Sequence, residues 1–258
     1  MHLQLIKSDL LPLYLEQVNP IESKFQLLQD AEISTDGFSF YTSVSAMASS
    51  KIEGETLEID SYIKHRMLDI EYVKDLVEKP NDLYEAYLFA QNNKLSQPNF
   101  LKAHSIISSH LLHAAKRGKY RKVNMLVMEH QTFNIQFEAA LWTDVEPLMK
   151  QFWLDVNQLI KQTLSITEVF YYAAFIHLVF VNIHPFEDGN GRAGRLLEKW
   201  FIAQKLGEKA WYLQSELNYY RNVNDYYKNL NKLGLFYEQL DFSKALPFLL
   251  MLPKSLLL

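Results

Sequence analysis

Apolar side chains recur at i, i+3 and i+4 through most of the chain, with few turn dipeptides between them, a pattern that favours helices over strands. The spacing predicts helices around Leu11–Leu28, Phe40–Ile52, Ile59–Val77 and Asp82–Lys94, the last entered from Asn81 as N-cap behind Pro80. Another is expected over Asn99–Lys116, where Phe100, Ile106, Ile107, Leu111 and Leu112 follow the helical period. The pattern then changes. Tyr120–Phe137 is rich in β-branched and aromatic residues and follows Gly118, so a short hairpin is expected there. Helical spacing returns over Asp144–Leu164, and Ile166–Asn182 is apolar almost all round, the mark of a helix buried on every side. Two more helices are expected over Gly194–Lys205 and Tyr219–Lys232. The apolar end of the chain, LPFLLMLPKSLLL, is expected either to dock onto the core or to form a homodimer contact.

Composition narrows the function classes. The chain has 258 residues, 48% hydrophobic and 14% aromatic, which provides for a sizeable core and excludes a largely disordered protein. Lys and Arg number 26 against 30 Asp and Glu, and no long basic stripe appears, so nucleic acid is not expected as a partner. The absence of cysteine excludes disulfides, thiolate catalysis and Cys-zinc sites. The N-terminal stretch carries charges within its apolar run and lacks a cleavage site of small residues. The longest strongly apolar run, Val169–Val181, has 13 residues, short of the roughly 20 that span a membrane. A cytoplasmic protein with no membrane partner is the expectation. Glycine is the most informative count: 8 in the chain, three of them (Gly189, Gly191, Gly194) within six residues.

That cluster lies in His184–Arg195, HPFEDGNGRAGR, between the central apolar helix and the next. Gly189-Asn190-Gly191 lacks bulk just before a helix N-terminus, where unpaired amides and the helix dipole favour an anion. Arg192 and Arg195 stand three apart, share a helix face and suit a polyphosphate. Asp188 beside them would repel phosphate unless a cation lay between, which implies Mg2+. His184, at the loop entry, can accept a proton near neutral pH. Phe186 reads as a core anchor for the loop.

The segment matches HxFx(D/E)GNGRxxR at every defined position and so resembles the Fic signature. Asn81–Arg121, with DLYEAY, a His-containing helix and GKYR, is similar to the family's run-up, and Tyr226-Tyr227 is similar to a tyrosine pair bordering adenine. The resemblance implies an all-α Fic core over 96–232 with a short hairpin flap, an N-terminal helical region over 1–95 and a helical tail over 233–258. It implies a protein adenylyltransferase that moves AMP from ATP onto a Ser, Thr or Tyr hydroxyl. His184 would be the general base and Asp188 the Mg2+ ligand. Gly189, Asn190 and Gly191 would cradle the phosphates, and Arg192 and Arg195 would bind the outer ones. Val127, Met128, Glu129 and His130 would lie in the flap that pairs with a target backbone. Upstream, Ser49-x-x-x-Glu53-Gly54 matches the family's inhibitory motif (S/T)xxxE(G/N). Ser49 and Glu53 share a helix face, so Glu53 is expected to reach Arg195 in the place of the γ-phosphate. Two positions depart from the family pattern: Val223 stands where an Arg often precedes the tyrosine pair, and Gly234 where some members have Asn. The competing readings are an enzyme that mainly removes AMP or uses another nucleotide, and a nucleotide-sensing interaction module.

Overall fold

A computed structural model describes residues 3–35, 37–128 and 135–257. The chain begins with α1 (Leu11–Gln17) and α2 (Glu22–Gln26), then α3 (Phe40–Ile52), α4 (Ile59–Leu68), α5 (Lys74–Gln91) and α6 (Gln97–Ile107). A two-stranded antiparallel hairpin follows, β1 (Leu126–Met128) and β2 (Ile135–Glu138), pairing Leu126 with Glu138 and Val127 with Phe137. Then come α7 (Trp142–Lys161), α8 (Ile166–Ile183), α9 (Asn190–Leu206), α10 (Ser215–Arg221), α11 (Val223–Asn231), α12 (Leu246–Leu249) and α13 (Met251–Lys254). Among the described residues the fold is all-α with one hairpin, as expected.

α8 is the axis of the molecule. Ser165 and Glu168 form a reciprocal capping box at its start, and nearly every residue from Val169 to Ile183 is buried. Its mean hydropathy of 1.6 would suit a membrane, but 78% of it is enclosed within the protein. α9 lies against it, and Gly194 makes the approach close: a Cβ there would sit 2.8 Å from Val181 Cγ1 and 3.0 Å from His177 Cδ2. One apolar core runs from Ile6 to Leu252. The N-terminal segment is fastened to α7 by the Asp155 carboxylate, which accepts the backbone N–H groups of Gln4, Leu5 and Ile6 at 2.7–3.2 Å. The apolar tail docks on this core: Phe248, Leu249, Met251 and Leu252 are buried.

Several boundaries differ from the periodicity. The expected Leu11–Leu28 helix is broken at Val18–Ile21, where Pro20 cannot donate to a continuing ladder. Ile59–Val77 is split by Asp69, held left-handed at φ 52°. Pro80 does not mark a helix start but lies inside α5, and Asn81, instead of capping, accepts the Tyr62 hydroxyl at 2.9 Å. α6 stops at Ile107, because Ser108 turns back onto the His104 carbonyl and Arg117 gathers the carbonyls of Ser109 and Leu112. α9 starts at Asn190, so Gly191 and Gly194 are helical residues. The last expected helix is two, parted at Asn222.

Candidate active site

The loop between α8 and α9 is fixed by backbone bonds before any side chain acts. α8 ends with His184 in the left-handed region (φ 53°, ψ 59°), and α9 opens from Gly189, also left-handed at φ 79°. Asn190 clasps the loop from within: its Oδ1 accepts the Phe186 N–H and its Nδ2 donates to the Phe186 carbonyl, both at 2.9 Å. Its side chain therefore shapes the loop, and the first amides of α9 are the ones a helix leaves without a partner of its own.

Two residues to which the sequence assigned no role hold this loop from outside. His104 stacks on Phe186 with ring centroids 3.5 Å apart. Its Nδ1 accepts the Gly118 N–H at 3.1 Å and its Nε2 pairs with the Asp188 carbonyl at 2.9 Å, which fixes the tautomer with hydrogen on Nε2. Burial pulls its pKa down to about 4. Arg121, also buried, donates to the carbonyls of His184 (2.7 Å), Val123, Ala140 and Ile183. A cation thus closes the C-terminal end of α8, where the dipole is negative. Both lie in the Asn81–Arg121 stretch, but only folding brings them to the loop.

His184 is partly buried, and its Nδ1 lies 3.3 Å from the Val181 carbonyl. A carbonyl only accepts, so Nδ1 carries the hydrogen and Nε2 is left as the basic nitrogen. Burial is the main cause that lowers its pKa to about 4; the Arg121 charge adds to the lowering, while Val181 and Glu53 oppose it. The ring is neutral at pH 7 and able to take a proton. Asp188 is exposed, and its Oδ1 accepts the Gly189 N–H at 2.6 Å. Among the described residues no group of three or more His, Asp or Glu could enclose a metal. A single exposed carboxylate at an anion site suits Mg2+, which commonly takes one or two carboxylates and completes its shell with phosphate and water.

The arginines of the motif are both engaged. Arg195 is fully buried on α9. Its Nε donates to Ser49 Oγ (2.7 Å), and Nη2 donates to the Ser49 carbonyl (3.0 Å) and to Glu53 Oε1 (2.6 Å). Glu53 caps the C-terminus of α3, and Gly54 follows at φ 92°, which glycine adopts without strain. The two guanidinium charges at Arg195 and Arg192 outweigh the burial cost and hold the Glu53 carboxyl below its usual range. Space confirms how tightly it is seated: a Cβ on Gly191 would come within 2.3 Å of Glu53 Oε1. Arg192 meets a second acid that the sequence did not single out. Its Nη2 lies 3.2 Å from Glu55 Oε1, which Lys79 also holds at 2.9 Å. Arg192 Nε is buried and unpartnered.

Tyr226 and Tyr227 are separated in role. Tyr226 is buried, with its hydroxyl between His177 and Arg195, whereas Tyr227 is 37% exposed and donates to the Ile52 carbonyl at the end of α3. Val127 is half-buried and Met128 exposed on β1; Glu129 and His130 lie outside the described residues.

The sequence model of the Fic/DOC family matches residues 94–202, which include the whole His184–Arg195 loop. A curated relative, "Protein adenylyltransferase Fic" of Nematostella vectensis, is 26% identical over 147 residues, 56% of this chain. The chain spans only 30% of that protein's length. Among solved structures, a Fic family protein from Desulfovibrio desulfuricans superposes with a TM-score of 0.69 at 21% identity, covering 84% of this chain and 62% of the other. A Fic domain containing signaling protein from Bacteroides thetaiotaomicron gives 0.64 at 21% identity, over 95% of both chains. Fic-1 of C. elegans (residues 134–508) gives 0.67 at 17% identity, over 94% of this chain and 68% of that fragment. At these identities the structures speak to the fold, and the family match to the loop. Signature and fold agree: residues 94–202 of the chain match the Fic/DOC family, and the whole chain shares its fold with solved Fic proteins.

Proposed function

We propose that this protein transfers AMP from ATP to a hydroxyl of a target protein, and that Glu53 keeps it silent until displaced. The 2.6 Å contact of Glu53 with Arg195 carries the reading, because it puts a carboxylate where an outer phosphate would pair with that guanidinium. In the reaction the target oxygen attacks the α-phosphorus, a new P–O bond forms, and the bond to the β-phosphate breaks. Pyrophosphate leaves, and the hydroxyl proton passes to His184 Nε2. The amides of Gly189 to Gly191 and the two arginines would hold the phosphates, so positioning and charge stabilisation supply most of the rate. Asp188 would hold Mg2+, whose chemistry is to offset the phosphate charge. Tyr227, the more open of the pair, would border the base, and the hairpin would receive the target backbone.

With Glu53 in place, the γ-phosphate and the carboxylate compete for one guanidinium, which turns bound ATP out of line for attack. Each ~1.4 kcal/mol of such misplacement is a tenfold loss of rate. Incorporation of α-labelled AMP, with ATP and Mg2+ at equal protein concentration, tests this. Glu53→Gly should label itself or added lysate proteins at least about tenfold more than wild type, and Glu53→Gly/His184→Ala should fall back to background. A folded Glu53→Gly protein no more active than wild type would overturn the reading.

A further inference from the structure

Arg195 makes contacts that have nothing to do with Glu53. Its other terminal nitrogen, Nη1, donates to the Tyr226 hydroxyl at 3.4 Å, and the guanidinium carbon lies 6.0 Å from the Tyr226 ring. Behind Tyr226 the polar contacts continue into the core. His177 Nε2 lies 3.1 Å from the Tyr226 hydroxyl, and His177 Nδ1 lies 2.9 Å from Glu198 Oε2, which also accepts the Tyr219 hydroxyl at 2.8 Å. His177, Glu198 and Tyr219 are fully buried and Tyr226 nearly so. Three of the four are sealed from solvent and Tyr226 is almost so, and their hydrogen directions are set by one another.

Those directions can be worked out. A carboxylate only accepts, so His177 Nδ1 carries a hydrogen and donates to Glu198. In the neutral ring Nε2 is then an acceptor, and the Tyr226 O–H donates to it. The Tyr226 oxygen keeps its lone pairs for Arg195. The other assignment, with hydrogen on both ring nitrogens, would aim two donors at the Tyr226 oxygen and leave its own hydrogen buried without an acceptor. Burial raises the Tyr226 phenol to about 12, so it stays a hydroxyl. Every hydrogen along the row is placed only in the first arrangement.

We infer that Glu198, His177 and Tyr226 form a positioning relay that holds the Arg195 guanidinium in place when Glu53 leaves it. Ser49 secures Nε and one N–H of Nη2, and the relay secures Nη1. Loss of Glu53 then exposes the remaining N–H of Nη2 in a fixed direction, already aimed at the incoming anion. A buried guanidinium free to rotate would bind the same phosphate less tightly, because ordering it would oppose binding. The inference rests on the nucleotide reading above for its ligand, but the relay itself does not.

Two measurements test it. The first needs no nucleotide: long-range ¹H–¹⁵N correlation of the histidine rings in the full chain should show His177 protonated at Nδ1 only. Hydrogen on Nε2 would overturn the relay. The second compares Tyr226→Phe, His177→Phe and the double variant, each in the Glu53→Gly protein, by calorimetric titration with ATP and Mg2+ and by labelled AMP transfer. Each single change should weaken ATP about five- to tenfold, the size of an ordinary net hydrogen bond, and AMP transfer should fall with it. The double should be no weaker than the worse single, since both act through one oxygen. Unchanged affinity in the folded Tyr226→Phe protein, or losses that multiply in the double, would overturn the relay. Tyr226→Phe removes one oxygen and keeps the ring, so it serves if His177→Phe does not fold. Failure of Glu53→Gly to bind ATP would count against the nucleotide reading, while the tautomer measurement would still decide the relay.

Discussion

Gly191 shows how much one missing methyl group can decide. It stands in the first turn of α9 with helical backbone, so glycine is not required by conformation. Its small size leaves room for Glu53, for a Cβ would meet Glu53 Oε1 at 2.3 Å and Arg195 Nη1 at 3.2 Å. Gly191→Ala is therefore expected to push the Glu53 carboxylate aside, and under the proposed inhibition it should not raise activity, because the methyl fills the place proposed for the phosphate. In the Glu53→Gly background it should lower AMP labelling at least about tenfold, the equivalent of ~1.4 kcal/mol. The melting temperature should hold or rise, since alanine is the better helix former by about 1 kcal/mol. Labelling unaffected by the change would show that this amide face does not hold phosphate. The same residue-scale reading separates Asn190 from its neighbours: it carries no charge and spends both polar atoms on the Phe186 backbone.

Among the elements, α8, α9 and α3 bear the site, and the contacts between them are unusually polar for a core. α3 presents Ser45, Ser49 and Glu53 to α9 at helical spacing, where Lys199 donates to Ser45 and Arg195 to Ser49 and Glu53. Lys199 is also paired with buried Glu216 on α10, which accepts the Tyr87 hydroxyl from α5. The helix that carries Glu53 is thus built into the core over most of its length, with Thr42 to Ser50 buried. If Glu53 inhibits as proposed, its release is a matter of the last turn and Gly54, not of the whole helix. α8 and α9 pack through Gly194, where an added Cβ meets Val181, His177 and Phe180 at 2.8–3.3 Å. Gly194→Ala should cost about 1–3 kcal/mol by overpacking, with the melting temperature falling about 2–4 °C for each kcal/mol. An unchanged or higher value by circular dichroism would mean that the two helices part easily.

Across the whole molecule the site depends on histidines kept neutral by burial. His104 and His184 both titrate near 4, below the 6.5 of an exposed imidazole. The unfolded chain therefore binds more protons between these values, and stability falls as pH drops from about 6.5 towards 4. Above about 6.5 the two residues contribute in full. At His104 burial is the cause, and the bonds agree with it: a proton on Nδ1 would face the Gly118 N–H that now donates to it. Glu53 behaves as a depressed acid, so its contribution lasts to lower pH than that of an ordinary carboxylate. Thermal melts from pH 7.5 to 4.5 should show the decline, and His104→Phe should melt lower at pH 7.5 with a shallower slope. A slope equal to that of wild type would remove His104 from this account.

The twelve residues from His184 to Arg195 and the Ser49–Gly54 segment stand out in the sequence because each is a local pattern. A left-handed entry, helix-terminal amides, two arginines on one face and a carboxylate one turn beyond a serine all arise within a few residues of chain. The buried helix α8 was equally legible, since an all-apolar surface needs no partner to declare it. Helix ends were less so: Asn81 and Pro80 carry start signals that Tyr62 and the surrounding core override. What tertiary structure alone decided is which distant polar groups meet. His104 and Arg121 reach the loop from before the hairpin, and Glu55, just past the end of α3, is shared between Arg192 and Lys79 of α5. His177, Glu198 and Tyr226 lie up to 49 residues apart in sequence but within hydrogen-bond reach in the core. Their side chains carry no pattern along the chain, because a buried polar residue is defined by the partner that satisfies it, and only folding supplies that partner.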